Sequence, residues 1–188
     1  MRPITFKLKG LAPLLMNNPE AMLTPGPKSK LGRGEYIPEE AVKVTRYLLP
    51  DGNFFVPAVA VRASLLGGAV GMKFGKTSAW SVISAAIEIS DPEFPMIGEN
   101  GDQMSGDTYS IDLRRVVIQK AGVPKARAKI ELPWFVQCSF IYEPEMLGVE
   151  QLITVANRAG RIAGLLDYRP SKKGWFGKYE IVQESIEG

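Results

Sequence analysis

No histidine occurs in the 188 residues, and there is a single cysteine, Cys138. The first absence removes Ser-His-Asp triads, histidine acid–base chemistry and His-ligated zinc sites. The second removes intrachain disulfides, thiolate zinc clusters and iron–sulfur centres. No stretch approaches the roughly 20 apolar residues of a membrane span, and no apolar signal region opens the chain. A soluble, cytoplasmic protein without membrane contact is therefore expected. No Gly-x-x-x-x-Gly-Lys-Ser/Thr phosphate loop is present. Gly67-Gly68-x-x-Gly71 falls inside a helical pattern rather than at the strand-to-helix turn that a dinucleotide site needs. Strong net charge is missing too, at +3. Nothing calls for a cofactor or a resident metal.

What is present is ordinary globular material, 45% hydrophobic and 23% charged, of a length that suits one domain over 1–188. The charge is unevenly placed. Arg114, Arg115, Lys120, Lys125, Arg127 and Lys129 follow one another with no acid between them, and Arg158, Arg161, Arg169, Lys172, Lys173 and Lys178 are interrupted only by Asp167. Acids gather at Glu35–Glu40, Asp91–Asp107 and Glu180–Glu187. That asymmetry predicts a basic face.

The most informative segment runs from Ala159 to Tyr179. It reads as a helix end, a loop with four glycines, then a strand. Arg169, Lys172, Lys173 and Lys178 charge this loop, Tyr168, Trp175 and Phe176 give it flat faces, and Gly174 allows close backbone approach. Cation, glycine and aromatic together suit a nucleic-acid backbone and its bases, with Trp175 the exposed stacking ring. An ordinary helix-to-strand turn with a solvated basic tip has the same composition. Further basic positions are Lys28, Lys30 and Arg33 in a long loop at 17–36, Arg62 on a helix, Lys73 and Lys76 just past it, and Arg114 on a strand. Arg115, its neighbour, points to the opposite side of that strand.

Alternation of Ile4, Phe6 and Leu8 with Thr5, Lys7 and Lys9 predicts a first strand. Val42–Leu49 suggests a second, and Asp51-Gly52-Asn53 a turn into Phe54-Phe55-Val56. Pro57 suits the first turn of a helix carrying Val59, Arg62, Leu65 and Leu66. Ile87–Ser90 is expected as a strand after a short helix, and 92–108 as an acidic, irregular insertion. Tyr109–Gln119 and Ala126–Glu131 pair across Gly122-Val123-Pro124, and Trp134–Tyr142 forms a buried strand that includes Cys138. Val149–Ile162 is an amphipathic helix, and Trp175–Gln183 the last strand. Strand, helix, strand, repeated once with hairpins inserted, is the α+β, ferredoxin-like order: an antiparallel sheet with helices on one face.

Three segments resemble the RAMP superfamily, the RRM-like proteins that build CRISPR effector complexes, and in particular their small backbone subunits. These are Leu11-Ala12-Pro13-Leu14-Leu15-Met16 after the first strand, Phe55-Val56-Pro57 running into Arg62-Ala63-Ser64-Leu65-Leu66, and Gly160 to Tyr179. The resemblance implies single-stranded RNA or DNA as ligand, RNA first, copies of the chain stacked head to tail along it, and other effector subunits as partners. It implies phosphate contact by Arg62, a backbone-hugging loop shaped by Gly164, Gly174 and Gly177, a finger carrying Lys28, Lys30 and Arg33, and a thumb at Pro92–Asp107. The missing histidine argues against processing-type RNA cleavage, so a non-enzymatic role is expected. Two rival readings stand beside it: a metal-dependent nuclease using Asp102, Asp107, Asp112 or Asp167, and a structural or viral assembly protein.

Overall fold

The computed structural model describes residues 1–19, 36–118 and 120–188. In chain order its strands and helices are β1 (Arg2–Gly10), β2 (Leu14–Met16), α1 (Pro38–Lys43), β3 (Phe55–Pro57), α2 (Ala58–Ala69), β4 (Lys73–Phe74), β5 (Thr77–Ser78), α3 (Ala79–Ala86), β6 (Ile87–Ile89), β7 (Glu93–Ile97), β8 (Ser110–Ile118), β9 (Ala121–Ile130), β10 (Phe135–Tyr142), α4 (Val149–Ile162) and β11 (Tyr179–Glu187).

The central sheet has the order β11-β1-β10-β7-β3, with β6 pairing the far end of β10. Taking β1, β6, β10 and β11 as the four strands of two β-α-β units gives 4-1-3-2, the ferredoxin-like arrangement, and the pairs are antiparallel. Alternation fixes the buried face. Ile4, Phe6 and Leu8 of β1 and Val136, Cys138 and Phe140 of β10 turn toward Val61 and Leu65 of α2 and Leu152, Val155 and Ala159 of α4. Phe140 stacks on Phe6 and meets Phe94 edge-on, with centroids 5.9 and 4.9 Å apart. α4 has the predicted bounds, because its apolar positions recur at helical spacing and the Gly148 N–H at its start donates to Gln151 Oε1 at 3.0 Å.

A second sheet, β2-β9-β8, stands beside the first. Trp134 joins the two: it is fully buried, its ring packs over Gly10, and its Nε1 donates to the Ala12 carbonyl at 2.9 Å.

Four expectations are corrected. Val42–Leu49 is not a strand: Pro38 at the helix start, Glu39 and Glu40 in the first turn and Lys43 in the last favour α1, which ends before Val44. The stretch 92–108 is irregular only after Ile97, because Phe94, Met96 and Ile97 are buried in β7 and pair it with β10 and β3. The β8–β9 turn lies between Ile118 and Ala121, with Lys120 at φ 69°, not at Gly122-Val123-Pro124. Pro124 is tolerated inside β9 since β2 covers only Ala128–Ile130, so that among the described residues β9 is an edge at that point. The last strand begins at Tyr179, because Trp175–Lys178 are used by the preceding loop. No helix among the described residues is long and apolar enough to cross a membrane.

Candidate nucleic-acid interface

The loop from Gly164 to Gly177 is tied down by backbone bonds to the chain around it. Leu165 N–H donates to the Gly177 carbonyl (2.9 Å), Asp167 N–H to Leu15 (3.1 Å), Gly177 N–H to Pro13 (2.8 Å) and Phe176 N–H to Tyr168 (3.3 Å). Five of its residues adopt positive φ: Gly164, Leu166, Tyr168, Lys173 and Gly177. For Leu166 and Tyr168 that conformation costs roughly 1–2 kcal/mol each, and the surrounding bonds hold it. Strain of this kind collects at functional sites.

The glycine at 174 serves this loop itself. A Cβ there would overlap the Tyr168 carbonyl. The close approach foreseen for a ligand is thus made to the loop's own backbone.

Arg127 and Asp167 hold the loop against the second sheet. Arg127 Nε donates to Asp167 Oδ2 at 2.5 Å, and its Nη1 lies 3.8 Å from Asp112 Oδ2. Arg114, opposite Lys125 in the β8–β9 register, donates from Nε to both Asp112 oxygens at 2.8 and 2.9 Å. Its guanidinium lies over the Tyr168 and Phe176 rings, 5.4 and 5.1 Å from their centroids. Half-burial of Lys125 lowers its pKa, and the Arg127 charge adds to this while Asp167 opposes it.

Beside the loop, two adjoining cavities of about 310 and 730 Å³ share Tyr47 and Ala60 and form one furrow along α2. These are the sizes of ligand-binding clefts. Ala60, Ala63 and Gly67 recur at helical spacing and keep its floor low. Arg169 and Ser171 line the inner end, Phe55 and Val59 the outer.

The predicted cations divide into groups. Lys172, at the end of a 3₁₀ turn over Pro170–Lys172, and Lys173, just after it, are exposed next to the furrow-lining Ser171. Neither side chain has a hydrogen bond or ion pair with a described residue. Lys178 is half-buried on the same segment. Arg169 is partly engaged, donating from Nη1 to the Leu166 carbonyl (2.6 Å) and from Nε to Ser171 Oγ (3.1 Å). Trp175 is 51% exposed and packs on Phe176 with centroids 4.4 Å apart.

Arg62 points elsewhere. It donates to the Ser84 carbonyl (2.8 Å) and the Ile87 carbonyl (3.3 Å), so it caps the C-terminal end of α3. Lys73 and Lys76 are exposed on the β4–β5 hairpin, which packs on α3. Lys28, Lys30 and Arg33 lie outside the described residues. The acids weighed as metal ligands are scattered: Asp107 meets Arg46, Asp112 and Asp167 meet the arginines above, and Asp102 accepts from Asn100. Among the described residues no three His, Cys, Asp or Glu side chains form a group that could hold a metal.

No protein-family model matches this chain, and no curated protein matches its sequence. Solved structures match its fold. A chain of the type III-B Cmr-beta complex, bound to cognate target RNA, aligns with 98% of this chain at TM-score 0.53 and 10% identity. The fold is RAMP-like. This chain spans 59% of the length of that Cmr-beta chain. Cmr6 from Pyrococcus furiosus aligns with 96% of this chain and 98% of its own length, at TM-score 0.47 and 12% identity.

Sequence reasoning found the loop, and named Arg127 as a basic residue and Asp112 as a candidate acid, but missed the pairing of Arg127 with Asp112 and Asp167, and the furrow. The spacing of Ala60, Ala63 and Gly67 was the available signal for the furrow. A buried ion pair 40 residues apart leaves none.

Proposed function

We propose that this RAMP-like chain binds single-stranded nucleic acid, RNA first, along the α2 furrow and its basic rim. The observation that carries the reading is the pair Lys172 and Lys173, exposed and without side-chain partners among the described residues, on a strained, tightly tied loop beside the inner end of an open furrow. Cations so placed neutralise phosphates without first breaking an internal pair, and binding of that kind is sequence-tolerant and weakens steeply with salt. A solved chain of the same fold, in a complex bound to cognate target RNA, supports RNA over DNA. Copies of the chain assemble head to tail on the strand, and other effector subunits are the partners.

The test is fluorescence anisotropy with labelled 20-nucleotide single strands of RNA and DNA across a salt series. Affinity falling linearly in log–log form, with a slope reduced in a Lys172→Ala/Lys173→Ala double variant, supports the interface. Absent binding at low salt, or a double variant with the wild-type slope, rejects it. Light scattering with and without ribonuclease then checks assembly: a large, nucleic-acid-rich species must collapse on digestion.

A further inference from the structure

Trp175, Phe176, Tyr168 and Arg114 form one stack. Phe176 is fully buried, has the indole of Trp175 at 4.4 Å and a 33° tilt, and has Tyr168 at 6.0 Å. Arg114 lies over both Phe176 and Tyr168, and Asp112, in turn, holds its Nε. The stack is therefore built upward from a strand of the second sheet, through a cation and two rings, to an indole that remains half in solvent. The indole rests on Phe176 and is 51% exposed, and Lys173 and Lys172 stand two and three residues away.

We infer that Trp175 is a stacking platform for one unpaired nucleobase, with Arg114 as the positioning residue that fixes its angle. The inference rests on the proposed interface and deepens it: the furrow and lysines hold the strand by its phosphates, and the platform requires the base at this point to be out of a duplex. A flat, sequence-tolerant π-face flanked by cations matches a nucleotide in both of its parts. Arg114 then contributes through Phe176 and Tyr168, not through phosphate, which differs from the direct contact its basicity predicts.

The experiment uses the whole chain with Trp80→Phe, leaving buried Trp134 and Trp175 as emitters. It is titrated with a 12-nucleotide oligoadenylate RNA and with an abasic oligomer of equal length. The expected result is quenching by the oligoadenylate and none by the abasic oligomer. Trp175→Ala should weaken oligoadenylate binding about tenfold, the size of one base stack, while Trp175→Phe retains most of it. Arg114→Gln should reduce the quench with an unchanged salt slope, and a thermal melt confirms that it is folded. If Trp175→Ala binds both oligomers like wild type, with no quench in the parent, the platform is rejected while the phosphate interface stands. If neither oligomer binds at low salt, both readings fall. Equal quenching by both oligomers also overturns the platform, because it reports backbone contact alone.

Discussion

Arg127 of β9 and Asp167 of the glycine-rich loop meet at 2.5 Å, Nε to Oδ2, across 40 residues of chain. The Arg127 side chain is only 7% exposed, and its Nη1 has no hydrogen bond with a described residue. Asp167 also accepts from the Tyr168 N–H at 2.9 Å, so the same carboxylate holds both the hairpin and the strained backbone.

Removing Asp167 leaves a buried guanidinium with Asp112 alone. Breaking such a pair from one side costs about 3–5 kcal/mol, more than the pair itself contributes. Asp167→Ala should therefore lower the melting temperature by about 10 °C, at the roughly 2–4 °C per kcal/mol of a chain this long. Glu131→Gln, which opens the Lys129–Glu131 pair at the surface, is the control and should change stability by no more than about 1 kcal/mol. Equal effects of the two would remove the loop-holding role of Asp167.

Arg62 and Lys173 should separate stability from binding. Arg62 donates to two carbonyls at the end of α3. Arg62→Met should cost about 1.5–3 kcal/mol in urea unfolding, the range for a charged hydrogen bond, and leave the salt slope of RNA binding intact. Lys173 sits at φ 62° with an exposed side chain. Lys173→Met keeps that backbone cost, so unfolding should be unchanged while the salt slope falls by about one. The reverse assignment would place Arg62 in the interface and Lys173 outside it.

These two residues also show how far the sequence could be read. Alternation in β1 and β10 and the helical spacing in α4 are local signals, so the ferredoxin-like order was legible from them. The glycine-rich loop was legible as basic and aromatic. Its internal accounting was not: that Gly174 is packed on Tyr168, that Arg62 caps α3, and that Arg114 lies over the Tyr168 and Phe176 rings are long-range facts. Val42–Leu49 misled because apolar content looked like a strand, whereas Pro38, Glu39, Glu40 and Lys43 mark a helix. Gly122-Val123-Pro124 misled because turn-type residues there pair with β8 on one side of β9 and, among the described residues, with no strand on the other.

Alkaline stability follows from two buried protons. Burial raises the Cys138 thiol well above its usual 9.0 and the Tyr179 phenol well above its usual 10.0; the Ser64 hydroxyl, 2.9 Å from the phenol, offsets the latter in part. A raised folded pKa means the native state keeps a proton that the unfolded chain releases. The stability linked to each is therefore complete below the unfolded value and declines as pH rises past it. Unfolding free energy from urea titrations should fall above about pH 9, more steeply past pH 10. Tyr179→Phe should flatten the later part and Cys138→Ala the earlier. A wild-type curve level from pH 8 to 11 would contradict the burial of both groups.

Gly174 and Gly75 pose the last test, because alanine meets a different obstacle at each. Gly75, in the β4–β5 turn, has φ +60° and nothing within 4 Å of an added Cβ. Alanine there costs only the left-handed conformation, about 1–2 kcal/mol. At Gly174 the added Cβ overlaps the Tyr168 carbonyl, a backbone atom that cannot rotate aside. The loop must open, which breaks the Phe176–Tyr168 backbone bond and tilts Trp175 away from Phe176. Gly174→Ala should therefore destabilise by more than Gly75→Ala and shift Trp175 emission to the red, whereas Gly75→Ala leaves the emission unchanged. It should also weaken RNA binding, since the lysine pair and the indole are held by the same packed turn. A Gly174→Ala protein with native emission and native affinity would show that this packing does not set the interface.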